Sequence, residues 1–371
     1  MTLSIARPAA GALWLLSTLT TSCIDPSRTR SASEGVGGDA AATDAGSDGG
    51  TGVWAQPDAV PTPPTTGVAK PSADTDSPNL RVLPWAGFTA AISYTFDDSQ
   101  PSQKEHWPEL KATGVPLTFF INPSGKSQAG YTETWTEVAA SGAEIGNHTW
   151  THCHAALSDC TPVGTAEQEI DQTSDYIVQQ LAVPAVISFA SPFGDTGWNQ
   201  YASSRFLLGR GVQGGMIAPS GAADWYNLPC IGVTEGQTAQ NFNASIDSAL
   251  AQGKWAIFLF HSIRPTSNDW YAGVEIADIT QSLEHAVSLG EVWADTMGAV
   301  GAYVRAQQMF EALTPADNTW TWSLPEHFPP GKLLRVQVDG GSLSQAGHEL
   351  SWDDHGYYEV ALDTGKLTWA P

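Results

Sequence analysis

Positive charge is scarce in this chain. Its 371 residues hold 16 Lys and Arg against 39 Asp and Glu, a formal net charge of -23 at pH 7. From residue 81 onward lie 31 of the acidic and 12 of the basic residues, so the deficit belongs to the part that can fold. Without a basic surface to neutralise phosphates, nucleic acid is not expected as a partner. Strongly anionic polymers are disfavoured on the same ground. Long apolar runs are missing too, since the stretch at 9–19 is too short for a comfortable membrane span. Large apolar residues are few between 24 and 80, where Gly, Ala, Ser, Thr, Asp and Pro dominate. Such a segment cannot bury enough surface to offset its ordering entropy, so 24–80 reads as a disordered linker. Cysteine is limited to four residues, Cys23, Cys153, Cys160 and Cys230.

Residues 1–23 read as an export signal, with Arg7 as their one charge, an apolar run, and small polar residues up to Cys23. Thr20-Thr21-Ser22-Cys23 is similar to a bacterial lipoprotein processing box, with Thr20 where Leu is usual. Lipidation at Cys23 and ordinary signal cleavage nearby both remain open. Either way the expected location is exported, secreted or held at the cell envelope. An N-terminal lipid would be the one membrane contact, with the linker as its tether. If Cys23 is lipidated, three cysteines remain and one pair can form. Cys153 with Cys160 is the first choice, because it would brace the loop behind His152.

From 81 to 312, strand-like and helix-like segments alternate. Strands are expected at 90–96, 116–121, 143–146, 186–190, 213–217, 255–260 and 291–295. Helices are expected near 105–113, 131–141, 165–182, 199–209, 238–252, 276–289 and 297–311. The alternation predicts an α/β domain, a parallel sheet with helices outside it. Seven such units suit an irregular barrel, whose active residues collect at the C-terminal ends of the strands. From 313 to 371 short alternating runs at 319–323, 333–338, 348–352, 357–362 and 366–369 predict a small all-β module. It would cap the barrel or bind carbohydrate, with packing the favoured reading. Fifteen Trp are many, and exposed ones stack on sugars, although core positions account for most.

The chemistry gathers around 90–99, Ala-Ala-Ile-Ser-Tyr-Thr-Phe-Asp-Asp-Ser, a strand that ends in two carboxylates. Neighbours on a strand point to opposite faces, so Asp97 and Asp98 can share one site only where the strand frays into a loop. Two like charges there need a cation or hydrogen-bond donors. His148 and His152, four apart, would lie on one face of a helical turn. One carboxylate with two imidazoles is a ligand set for catalytic zinc. Farther on come Ser191-Pro192-Phe193-Gly194-Asp195, Asp224-Trp225, and a late strand ending in Leu259-Phe260-His261.

Taken together and in this order, these stretches resemble the polysaccharide deacetylases, the NodB-homology carbohydrate esterases of family 4, over roughly residues 85 to 310. The resemblance implies an irregular (β/α)7 barrel. It implies a metal-dependent hydrolase that removes acetyl groups, N-acetyl foremost, from an extracellular or cell-envelope polysaccharide. A divalent cation, zinc foremost, would sit on Asp98, His148 and His152. Asp97 would be the general base and His261 the general acid that protonates the leaving nitrogen. The Phe193 N–H would help hold the oxyanion, Leu259 would line the acetyl pocket and Trp225 would wall it. Two positions depart from the family pattern. Ala190 stands where an Arg orients the base, and Gly221 where an Asp opens the fourth motif. Of the nearby cations, Arg210 is favoured over Arg205 and Arg264 as a substitute base-orienting group, and Asp224 is a candidate to steady His261. Two alternatives stay open: an O-acetyl esterase of the acetylxylan type, and an idle secreted carbohydrate-binding protein that keeps the fold. The retained base, ligands and acid argue against the idle protein.

Overall fold

The computed structural model describes residues 60–72, 78–126, 130–266 and 271–371. The expected export signal, Cys23 and linker residues 24–59 lie outside them. The organising strand β1 (Ala90–Asp97) is buried along its whole length. Its run of small and apolar side chains is what a parallel strand covered on both faces requires. Six more strands follow in chain order: β2 (Thr118–Ile121), β3 (Glu144–Asn147), β4 (Ser188–Ala190), β5 (Leu208–Gly214), β6 (Leu228–Gly232) and β7 (Trp255–Phe260). Each pairs in parallel with the next. Strand β7 then closes on β1 from Ala91↔Trp255 to Phe96↔Phe260. A short β8 (Val292–Ala294) takes the first residues of β1, leaving its last three to β2.

Side chains on β1 and β7 divide by parity. Ile92, Tyr94, Phe96, Phe258 and Phe260 face outward into one apolar layer under the helices. Those helices include α1 (Pro101–Glu105), α2 (Trp107–Ala112), α3 (Tyr131–Ala140), α4 (Ala166–Gln180), α5 (Asn199–Ala202), α6 (Ala239–Gln252) and α7 (Ile276–Ser288). Ala91, Trp255, Ile257 and Leu259 face the barrel interior. That interior is continuous with α8 (Met297–Glu311), a helix buried over most of its length.

Helix α8 closes the N-terminal mouth of the barrel. Its first amides donate to Thr118 Oγ1 (2.9 Å) and Glu144 Oε2 (2.7 Å), residues that begin β2 and β3. Its Gly301 leaves no room for a side chain, because a Cβ there would lie 2.9 Å from Leu208. Beneath α8 sits the β module. One sheet joins Arg81–Val82, Leu333–Gln337 and Tyr358–Ala361, and another joins Thr319–Thr321, Lys366–Ala370, Ser342–Gln345 and His348–Glu349. Trp320, Trp322, Leu334 and Tyr358 share one core with Phe310 of α8, so the module packs as a cap.

Several expectations need correction. Strand β5 begins at Leu208 rather than 213, and the helix expected at 199–209 is only α5. Strand β6 was not expected at all. Gly209, Gly211 and Gly214 in β5, and Pro229 in β6, weaken local strand preference, and closure of the barrel overrides it. The expected seven strands therefore counted β8 in place of β6. Residues 60–72, read as linker, instead lie against the module. Val68 N–H donates to Asp354 O (2.8 Å), and Trp352 Nε1 donates to Val68 O (2.8 Å).

Arg335 joins these parts. It is 2% exposed and donates to Pro61 O (2.7 Å), Ala86 O (2.9 Å), Val60 O (2.9 Å) and Glu359 Oε1 (3.1 Å). Arg335→Leu strands these acceptors and should cost about 2–4 kcal/mol in chemical denaturation. It should also open 60–72 to limited proteolysis. Unchanged stability and protection would show that the segment is held by other contacts.

Candidate active site

Strand β1 ends at Asp97, and the next two residues take left-handed backbone angles, φ 72 at Asp98 and φ 48 at Ser99. This turn is the physical answer to the parity problem: it swings the second carboxylate back to the mouth that the first one faces. Both are buried, at 4% and 3% exposure. Left-handed angles in non-glycine residues are costly and persist only where surroundings enforce them.

His148 follows β3 directly. Its Nδ1–H donates to Ala190 O at 2.7 Å, so the neutral ring presents the Nε2 lone pair to Asp98 Oδ1, 3.4 Å away. His152 Nε2 lies 3.2 Å from the same oxygen. The expected helical turn between the histidines is absent. Thr149 (φ 62) and His152 (φ 58) instead fold the segment into a loop. Thr149 Oγ1 accepts the His152 N–H at 3.1 Å, and buried Glu169 accepts from Thr151 N–H, Thr151 Oγ1 and Val163 N–H. The Cys153–Cys160 disulfide backs this loop, as expected.

The donor set fits a metal ion. One atom each of Asp98, His148 and His152 lies within 4.8 Å of the others. A tetrahedral ion with bonds of about 2 Å would set its ligands about 3.3 Å apart. Asp98 Oδ1 is buried without a hydrogen-bond partner among the described residues, an expensive arrangement unless a cation completes it. Burial alone would push the Asp98 carboxyl up, but His148, His152 and His261 hold it well below the usual carboxylate range. Burial and His148 lower His152 to about 4, which keeps it in its ligating neutral form.

Asp97 is held differently. Arg210 Nη2 donates to both of its oxygens, at 2.5 and 2.6 Å. Arg210 is fully buried on β5, with its guanidinium over the Phe120 ring and Nη1 on Gly211 O. Burial works against its charge, but Asp97 and Cys230 more than offset this and raise its pKa. In the β4–β5 register, Arg210 is the partner of Ala190. The cation absent at 190 therefore stands one strand over, at the matched position. Arg205 and Arg264 are engaged elsewhere, with Asp171 at 2.6 Å and Glu235 at 2.8 Å.

His261 follows β7, and its Nε2 lies 4.0 Å from Asp98 Oδ2. Its buried Nδ1 has no hydrogen-bond partner among the described residues. Burial holds the imidazole below the usual histidine range, with Asp97 and Asp98 pulling the other way. Two residues not anticipated complete the frame. Gln103 Nε2 donates to Asp97 O (2.6 Å) and His261 O (2.9 Å), and Gln100 Nε2 donates to Asp98 Oδ2 (3.3 Å). Their only signal in the sequence is proximity to the paired aspartates.

Residues 89–205 match the family model described as polysaccharide deacetylase. These residues, about a third of the chain, are similar to that family. A curated relative, a gellan lyase from a Bacillus species, is 22% identical over 296 residues, 71% of this chain. The chain spans 12% of that protein's length. Among solved structures, the Xyl-CE4 domain of a multidomain xylanase from the hindgut metagenome of Trinervitermes trinervoides is 18% identical with a TM-score of 0.39. It covers 57% of this chain and 89% of its own. A polysaccharide deacetylase from Bacillus cereus is 18% identical with a TM-score of 0.37, covering 56% and 91%. The peptidoglycan deacetylase PdaC from Bacillus subtilis is 17% identical with a TM-score of 0.38, covering 60% and 94%.

Leu259 lies two residues before His261, on the interior face of β7. Phe193 is 54% exposed, with its ring edge-on to His152 (4.6 Å) and flat against His154 (4.1 Å). Trp225 and Asp224 do not reach the site. After β5 the chain turns back to the opposite mouth, where Trp225 O accepts Gly209 N–H and Trp225 Nε1 donates to Gln308 on α8. Asp224 is exposed and accepts the Tyr226 N–H. Both residues lead into β6, so neither walls a pocket nor steadies His261.

Arg210→Met should leave Asp97 buried without its cation, at a cost of about 3–5 kcal/mol. Turnover should drop sharply and the acidic limb of the pH–rate profile should move to higher pH, with metal content unchanged. An unaltered profile would mean that the base needs no cation beyond the metal.

His152 gives a second test, in metal-free protein. Its folded pKa of about 4 lies below the unfolded value of about 6.5, so the unfolded chain binds more protons between them. Stability should therefore fall as pH drops from about 6.5 to 4. Denaturation at both pH values should show a smaller loss in His152→Asn. An equal loss would place the titration elsewhere.

Proposed function

We propose that this chain is an exported, metal-dependent hydrolase that removes acetyl groups, N-acetyl foremost, from a cell-envelope or extracellular polysaccharide. The observation that carries the reading is the unpartnered Asp98 Oδ1 between two imidazole Nε2 atoms, beside an Asp97 gripped by Arg210. The donor set suits zinc, which when bound supplies Lewis acidity toward the acyl carbonyl and toward water.

The protein's own groups supply the rest. Asp97, fixed by both oxygens, is the base that accepts a proton from the attacking water. His261 Nε2 faces the same space from β7 and delivers a proton to the leaving group. Its lowered pKa makes the protonated ring a readier donor. The Phe193 N–H lies on the left-handed turn after β4, where it can meet the developing oxyanion. Exposed rings of Phe193 and Tyr271, the latter edge-on to His261 at 4.5 Å, flank the cluster and can cover sugar faces.

One observation favours a second reading, an O-acetyl esterase. His261 Nδ1 has no hydrogen-bond partner among the described residues, and an alcohol leaving group asks less of the acid than an amine does. Acetate release from N-acetylated chitin oligomers and from acetylxylan discriminates the two.

The central test divides the carboxylates. Asp97→Asn should keep metal, read by elemental analysis, and lose most turnover, about a hundredfold or more. Asp98→Asn should lose both. Equal metal content in the two variants would overturn this division, and full activity in metal-free protein would overturn the reading itself.

A further inference from the structure

A cavity of about 280 Å3 opens beside the site, between the start of α1, the loop after β2 and helix α3. Its lining includes Ser99, Gln100, Lys104, Lys126, Tyr131 and Trp135. It is contiguous with the reactive cluster through Gln100, which lines the cavity while its Nε2 donates to Asp98 Oδ2. Gln100 is 1% exposed, and its Oε1 has no hydrogen-bond partner among the described residues. The far wall is a connected polar network. Tyr131 Oη donates to Ser99 Oγ (3.1 Å), Ser99 Oγ donates to Asn122 Oδ1 (3.2 Å), and Lys126 Nζ donates to the same Asn122 oxygen (2.8 Å).

Two ammonium groups on one small cavity are unusual in this chain, which has 12 basic residues against 31 acidic from residue 81 onward. An ammonium has three donors, and Asn122 engages one on Lys126. The mixture of cations, a buried amide and aromatic walls suits a sugar ring bearing one negative group. A volume near the lower end of small-ligand pockets, about 300 Å3, suits one residue of a chain.

Resting on the deacetylase reading above, we infer that this cavity is a subsite for a carboxylate-bearing sugar next to the acetylated one, with Lys126 and Lys104 facing the carboxylate. The overall charge of -23 still opposes dense polyanions. The substrate class is therefore a polysaccharide with isolated uronic or similar acid residues.

The test compares acetate release by the metal-loaded protein from acetylated glucuronoxylan and from the same polymer after chemical reduction of its carboxyl groups. kcat/KM should be about tenfold higher on the acidic polymer, mostly through KM. Lys126→Met and Lys104→Met should each shrink that ratio, and the double variant should bring it near one. Equal measurable rates on the two polymers, or variants that lower both rates and leave the ratio unchanged, would overturn the inference; where neither polymer releases acetate, the binding arm decides. A second arm needs no turnover: calorimetric titration of the Asp97→Asn protein with a glucuronic acid–xylose disaccharide. Binding that falls about tenfold in Lys126→Met supports the subsite, and no binding, or equal binding by both proteins, overturns it. If binding behaves as expected while no acetylated glycan releases acetate, the failure belongs to the deacetylase reading alone.

Discussion

The contact between Asp97 and Arg210 is the constraint around which the rest of this site is arranged. A carboxylate and a guanidinium, both nearly inaccessible to water, are tolerable only when each satisfies the other. Their pairing fixes the end of β1 to the middle of β5 across the barrel. It leaves Asp98 as the neighbouring carboxylate without such a partner, and the two imidazoles converge on that oxygen. One carboxylate is thus held by a permanent cation of the protein, and the other stands with two imidazoles in a donor set that fits a metal ion. The division of labour between two adjacent, chemically identical residues follows from which of them the guanidinium reaches.

The closed lower mouth serves the same end. Helix α8 fills it, and the β module seals the helix from beneath. The barrel therefore opens at one end, where the strand termini carry Asp97, His148 and His261. Gln103 ties the backbone carbonyls of Asp97 and His261 to one side chain, so β1 and β7 deliver them as a unit.

Much of this was legible in the sequence, for identifiable reasons. Strands β1 and β7 are continuous runs of buried apolar and small residues, and helices α4 and α7 carry their apolar residues on one face. The paired aspartates and the two histidines stand at strand ends, where side chains of different strands meet. Arg210 was nominated by elimination, and the register shows how its side chain comes to meet Asp97. Illegible were β6 and the start of β5, whose glycines and proline oppose strand preference and yield to barrel closure. Trp225 was misplaced because a dipeptide shows neither which end of the barrel it occupies nor that the chain doubles back after β5. The left-handed angles at Asp98, Thr149 and His152 leave no trace in composition, since none of these residues is glycine.

The register between Ala190 and Arg210 has a consequence for how such a site can change over generations. The carbonyl of residue 190 holds His148 whatever its side chain, while the side-chain space there is the space the neighbouring strand's arginine borders. An arginine at either position can serve one carboxylate, but two would crowd like charges against it, and none would strand it. The exchange is a coupled pair of substitutions with an unfavourable state on both sides. Either substitution alone passes through one of these states, and a short residue at 190 beside a long one at 210 avoids both.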